Sequence, residues 1–208
     1  MILCDIGNTT FHFLINGKEK KYFLNEKLPN FNQRVYYISV NDSGTKNLKS
    51  SNDDVIDLEN YLEFKTKYKG MGVDRKIACI ANKDSIIVDA GSAITVDIMK
   101  KGKHKGGFIL PGLKAVKDLY PNISHKLQFD FNPKVNLDKI PLCTQDAISY
   151  AILKSIIQAI KNIRNKQQII FTGGDGEFLS KYFKNSIYKK DLIFENMKRI
   201  IDANNCIA

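Results

Sequence analysis

One local pattern occurs twice in the chain, and it limits the fold more than any other feature. The first copy reads Ile2-Leu3-Cys4-Asp5-Ile6-Gly7-Asn8-Thr9-Thr10, continues as an apolar stretch from Phe11 to Ile15, and reaches Asn16-Gly17-Lys18. The second reads Ile86-Ile87-Val88-Asp89-Ala90-Gly91-Ser92-Ala93, continues through Ile94 to Met99, and reaches Lys101-Gly102-Lys103. Both spell an apolar strand, Asp-x-Gly with a small polar residue, a second strand, a glycine turn and a third strand. Asn-Gly between two apolar runs is a hairpin signal in its own right. A strand that ends in Asp-x-Gly and folds straight back puts backbone N–H groups and a carboxylate at its tip. Such a tip suits a phosphate chain with its cation. A single Asp-x-Gly is more economically read as turn chemistry; two in matching strand contexts favour the chemical reading.

The remaining elements follow from periodicity and punctuation. Tyr36 to Val40 reads as a strand, Asn41 to Asp53 as a polar loop with helical potential, and Asp54 to Leu58 as a short strand. Val73 to Ala81 reads as a helix. Phe108 to Leu110 ends a strand, and Pro111 suits the first turn of a helix reaching about Leu119. Ile123 to Pro141 is irregular. Thr144 to Ile163 is the clearest helix, with Ala147, Ile148, Ala151, Ile152, Ile156, Ala159 and Ile160 at helical spacing. Gln168 to Thr172 reads as a buried strand closed by Gly173-Gly174, followed by a helix to Phe183 and a late helix from Phe194 to Ala203. With no Pro-, Ser- or Gly-rich linker, the boundary between the two repeats is placed at Ala81 to Ser85, giving lobes 1–83 and 84–208.

Composition excludes several classes. No apolar run approaches the roughly 20 residues of a membrane span, and the start lacks the basic and apolar regions of a signal peptide, so a cytoplasmic protein is expected. The four cysteines (Cys4, Cys79, Cys143, Cys206) are scattered and read as buried reduced thiols. The histidines His12, His104 and His125 show no metal-ligand spacing. The net charge of +10 is spread along the chain as lysines, which fits a solvated surface and small anionic ligands better than nucleic acid.

Five pieces, in order, resemble the type III pantothenate kinases: D-I-G-N-T at Asp5 to Thr9, G-V-D-R at Gly72 to Arg75, V-D-A-G-S-A-I-T-V-D at Val88 to Asp97, G-G-F-I-L-P-G at Gly106 to Gly112, and F-T-G-G-D at Phe171 to Asp175. The resemblance implies an α/β protein with a duplicated ribonuclease H-like, actin-like fold whose two lobes flank a nucleotide cleft. It implies ATP-dependent phosphorylation of pantothenate, a homodimer, Mg²⁺ with ATP, and a monovalent cation, K⁺ or NH₄⁺. By the same resemblance Asp5, Ile6, Gly7, Asn8, Thr9, Thr10, Phe11, His12 and Ser92 would hold ATP, and Asp89 the cation. Tyr68, Gly72, Val73, Asp74, Arg75 and Thr144 would bind pantothenate, Thr144 from the partner subunit, with Asp74 as proton acceptor. A lysine often follows the first motif in that family; His12 stands here and lacks its fixed charge. The chain is also shorter than is usual for the family, which points to losses in surface loops such as Asn41 to Asp53. The alternative is a non-catalytic actin-like regulator that binds nucleotide or pantothenate; Asp5, Asp74 and Asp89 together favour the enzyme.

Overall fold

The computed structural model describes residues 1–163 and 166–204; Cys206 lies outside the described residues. In chain order the strands and helices are β1 (Ile2–Ile6), β2 (Thr10–Ile15), β3 (Lys18–Phe23), β4 (Val35–Ser39), α1 (Asp42–Ser51), β5 (Val55–Asp57), α2 (Val73–Cys79), β6 (Ser85–Ala90), β7 (Ala93–Lys100), β8 (Lys103–Pro111), α3 (Leu113–Ile123), α4 (Thr144–Ile163), β9 (Gln168–Thr172), α5 (Gly176–Ser180), β10 (Ser186–Tyr188) and α6 (Leu192–Ala203). They form two five-stranded sheets, ordered β3-β2-β1-β4-β5 and β8-β7-β6-β9-β10. The two orders match strand for strand, so the repeat in the sequence is a repeat in topology. Its hairpins match in detail: Asn16 and Gly17 have φ of 48° and 82°, Lys101 and Gly102 of 51° and 69°. Two consecutive left-handed residues make the turn whose twist suits a tight hairpin.

The chain divides into two compact units, one of residues 1–83, 99–106 and 191 onward, the other of 84–98 and 107–190. In the first unit β1 runs antiparallel to β2 and parallel to β4. Alternation along β1 sends Ile2, Cys4 and Ile6 to one face, where they pack with Phe11, Phe13, Tyr37 and Leu48 of α1. Phe11 and Phe13 are wholly buried, each contributing about 2 kcal/mol of apolar burial. Leu3, Tyr36 and Ile38 are buried as well. Helices α2 and α6 pack together, and Asn196 of α6 donates to the Ile77 carbonyl of α2 at 2.8 Å. In the second unit, β6 and β9 are parallel, and Ile86, Val88, Ile94, Val96 and Phe171 share a core with α4.

Several expectations change. The helical potential of Asn41 to Asp53 is realised as α1 over Asp42–Ser51: Asn41 caps it by accepting from Gly44 N–H at 2.8 Å, and Leu48 is fully buried. The polar composition hid an element whose single apolar anchor is enough. Pro111 ends β8, with Gly112 as the cap of α3. Helix α5 stops at Ser180, and the short strand β10 follows, unanticipated. On α4 the buried stripe runs through Ile148, Ser149, Ile152, Leu153, Ile156, Ile157 and Ile160, leaving Ala147 and Ala151 exposed; small apolar residues flank the stripe without facing the core. Cys4 and Cys79 are buried, but Cys143 is exposed. No helix among the described residues is long and apolar enough to cross a membrane.

Candidate active site

The first Asp-x-Gly tip belongs to the first unit. Asp5 is the penultimate residue of β1, opposite His12 of β2 and beside Ile38 of β4, and the loop is pinned by Gly7 N–H donating to Thr10 C=O at 3.0 Å. Asn8 and Thr9 are exposed at the tip and Thr10 half-buried, so their polar groups and amides are presented to solvent. Ile6 and Phe11 have fully buried side chains and can offer a ligand only backbone atoms. His12, the cross-strand partner of Asp5, has its imidazole engaged within the same unit. Its Nε2 lies 3.0 Å from Glu19 Oε2, and its ring meets Phe194 edge-on at 4.8 Å.

The second tip belongs to the second unit and repeats the device: Gly91 N–H donates to Ala93 C=O at 3.0 Å, with Ser92 exposed. Two further loops close on it. Gly112 donates to Ser92 C=O at 3.1 Å, and a Cβ at Gly112 would fall 2.2 Å from the Gly91 carbonyl oxygen. Gly173, at φ +81°, lies so close that a Cβ would fall 2.4 Å from Asp89 Oδ1 and 2.5 Å from Ala90 O. Asp175 N–H donates to that same Ala90 carbonyl at 2.9 Å. Partial burial pushes the Asp175 carboxyl above its ordinary range. The glycines therefore let three backbone segments meet around Asp89, whose carboxylate and the neighbouring carbonyl are hard oxygen donors of the kind an alkali or alkaline-earth cation takes. Among the described residues no three His, Cys, Asp or Glu side chains come together to hold a metal ion.

Tyr68, Gly72, Val73, Asp74 and Arg75 gather in the first unit. Gly72 caps α2 and Asp74 is its second residue, its Oδ1 accepting from Arg75 N–H at 2.7 Å. Asp74 is thus in the first turn rather than at the cap itself. Gly72 leaves room for it, since a Cβ there would sit 2.5 Å from Asp74 Oδ1. Val73 is buried and contributes backbone. Arg75 is 5% exposed and its Cζ stands 4.6 Å from the Tyr68 ring centroid, a cation–π stack. Thr144 is in the other unit, exposed at the start of α4.

Two residues around Tyr68 were not singled out from sequence. Thr66 Oγ1 lies 2.7 Å from His104 Nδ1 and accepts from Tyr68 N–H at 3.0 Å. The alternation Phe64-x-Thr66-x-Tyr68 was the available signal, since such spacing marks residues that share one side of a segment.

The family model described as type III pantothenate kinase matches residues 48–166, which include Tyr68, Asp74, Arg75, Asp89 and Thr144. A type III pantothenate kinase of Helicobacter hepaticus is 45% identical over 205 residues, covering 97% of this chain and 98% of that one. Beside that relative the chain shows no loop losses. A Campylobacter jejuni crystal structure, described as a candidate Baf family transcriptional activator, superposes with a TM-score of 0.88 at 43% identity, covering 99% of this chain and 100% of that one. A candidate 2-dehydro-3-deoxygalactonokinase of Sinorhizobium meliloti superposes with a TM-score of 0.64 at 9% identity, over 100% and 97% of the two chains, a likeness of fold alone. Together with the matching sheet orders, these likenesses make the fold a duplicated ribonuclease H-like, actin-like one.

Proposed function

The chain belongs to the type III pantothenate kinases, and from that premise we propose that it moves the γ-phosphate of ATP onto the primary hydroxyl of pantothenate, giving 4'-phosphopantothenate and ADP as the first step of coenzyme A biosynthesis. The observation that carries the reading to particular residues is the gathering of Asp74, Arg75 and Tyr68 in one unit, with Arg75 stacked on Tyr68. Asp74 takes the hydroxyl proton as the hydroxyl oxygen bonds to the γ-phosphorus and the bond to the bridging oxygen breaks, ADP leaving with that electron pair. Arg75 offers a planar fork for the pantothenate carboxylate, and Tyr68 a wall for its apolar part. The amides of Asn8 and Thr9 and the hydroxyls of Thr9, Thr10 and Ser92 suit phosphate oxygens. Mg²⁺ bound to ATP would supply charge neutralisation on the transferring group. A monovalent cation, K⁺ or NH₄⁺, would be held by Asp89 and the carbonyls beside it.

A homodimer is part of the same reading. Ile140 and Leu142, 77% and 101% exposed, lie four and two residues before Thr144, and a second copy covering them would also meet Thr144. Light scattering should give about twice the 23.6 kDa chain mass; a fully active monomer would remove this element.

The decisive assay is ADP release with and without pantothenate, in potassium and in sodium. Release that depends on pantothenate is expected, faster in potassium. Equal rates in the two salts would remove the cation and leave the kinase. The second reading, a regulator without catalysis, draws on the description given to the Campylobacter jejuni protein; absent ADP release from a folded protein that binds nucleotide or pantothenate would favour it.

A further inference from the structure

We propose that His104 is a positioning residue for the pantothenate site, holding Tyr68 against Arg75 through Thr66; the inference rests on the reading of Tyr68 and Arg75 just given. Residues 62–72 carry neither helix nor strand, yet this segment delivers Tyr68. His104, the second residue of β8, is 8% exposed, and its Nδ1 is 2.7 Å from Thr66 Oγ1. The same hydroxyl accepts from Tyr68 N–H, so one histidine fixes the backbone of the residue that carries the stacking ring. The imidazole also lies against Phe64 at 5.8 Å and meets Tyr68 edge-on at 6.0 Å. Tyr68 is therefore gripped from two sides, by His104 and by Arg75.

The duplication marks the contact as a departure from the repeated pattern. Two residues after each turn glycine stand Glu19 and His104. Glu19 turns back along its own hairpin to His12, whereas His104 reaches the segment at 64–68. The grip has a physical purpose. A cavity of about 1000 Å³, lined by Phe64, Thr66, Tyr68, Met99 and His104, opens beside the segment, so an unheld Tyr68 has space to swing away. Ordering it in advance spares the substrate that conformational entropy at binding.

The test uses steady-state kinetics and calorimetric pantothenate binding on the full chain. His104→Ala should raise the pantothenate KM about tenfold, the size of a lost, partly buried hydrogen bond together with the ring contact. Turnover and the ATP KM should stay within about twofold, because the contact acts before chemistry. Thr66→Val should act in the same direction by about fivefold. The double variant should be no worse than His104→Ala alone, since both act through one contact. His104→Asn, which returns a polar atom near the Nδ1 position, should recover part of the loss. Thr66→Val and His104→Asn decide the matter where His104→Ala fails to fold. Unchanged pantothenate KM in folded variants, additive effects, or equal losses in both substrates would overturn the inference. A parent protein that binds no pantothenate would overturn it together with the reading it rests on; a parent that binds, with variants that bind alike, would overturn it alone.

Discussion

Arg75 lies over the ring of Tyr68 with its Cζ 4.6 Å from the ring centroid, and it is almost entirely enclosed. A guanidinium so placed sets its flat face against the ring, and the proposed pantothenate carboxylate would meet its planar N–H donors. Lysine keeps the charge but has neither the flat face nor the paired donors. Arg75→Lys should therefore raise the pantothenate KM by about tenfold or more, the worth of a desolvated cation–π contact plus one of two donor bonds. Turnover should change much less. A pantothenate KM within twofold of the parent would show that Arg75 is a structural cation only.

Three glycines, Gly7 in the first Asp-x-Gly loop and Gly112 and Gly173 packed on the second, separate packing from ligand contact. Alanine at Gly112 or Gly173 would press a methyl into backbone oxygens at 2.2 and 2.5 Å, and Gly173 also has a left-handed φ of +81°. Each should destabilise by about 2–3 kcal/mol, lowering the melting temperature by roughly 5–10 °C in a chain of this length. A Cβ at Gly7 meets nothing closer than Thr10 O at 3.6 Å, so Gly7→Ala should leave the melting temperature near the parent's. Its effect should appear in the ATP KM, because a methyl there stands where phosphate approaches. A large thermal loss in Gly7→Ala, or none in Gly112→Ala, would contradict this division.

What the sequence made legible follows the same division. The duplicated strands were readable because alternation, Asp-x-Gly and a turn glycine coincide twice, and each signal is local. The 20-residue α4 was readable because a helix of that length repeats its period several times. Helix α1 was legible only as helical potential because one buried leucine among polar residues makes no stripe, and its cap bond to Asn41 counts only once the helix exists. Strand β10 has three half-buried residues and is defined by its neighbour β9, which no local pattern encodes. The roles of Asp74 and Arg75 came from resemblance, whereas His104 and Thr66 escaped because their meaning is a contact across 38 residues of chain.

Asp175 gives a pH signature. Its carboxyl titrates above the ordinary range because partial burial disfavours the charged form. The folded state therefore binds this proton more tightly than the unfolded chain does. The resulting stabilisation is complete below the unfolded carboxyl value of about 3.9 and is lost as pH rises through the raised folded value. Asp175→Asn removes the charge that is disfavoured at neutral pH. The variant should melt above the parent at pH 7, with the gap closing as the pH drops towards 4. A variant that melts lower than the parent at pH 7 would mean that the carboxylate holds a stabilising partner.

Asp74 carries the sharpest expectation. Its carboxylate has two separable uses, one in the helix and one in chemistry. In the helix, Oδ1 accepts from Arg75 N–H, and the negative charge stands in the first turn, where it is favoured by the helix dipole. An asparagine keeps an oxygen for that N–H and loses only the charge, so Asp74→Asn should lower stability by less than about 1 kcal/mol. In chemistry the amide cannot take a proton from the attacking hydroxyl. General-base assistance is worth about 10² to 10⁴ in rate, with the low end favoured where the transition state is loose and little proton transfer precedes bond formation. Turnover should fall by at least about a hundredfold while pantothenate binding, measured by calorimetry, weakens only a few-fold. Asp74→Glu, with a base on a longer arm, should fold normally and recover part of that loss. An asparagine variant that keeps more than about half of the parent turnover would assign Asp74 to the helix alone.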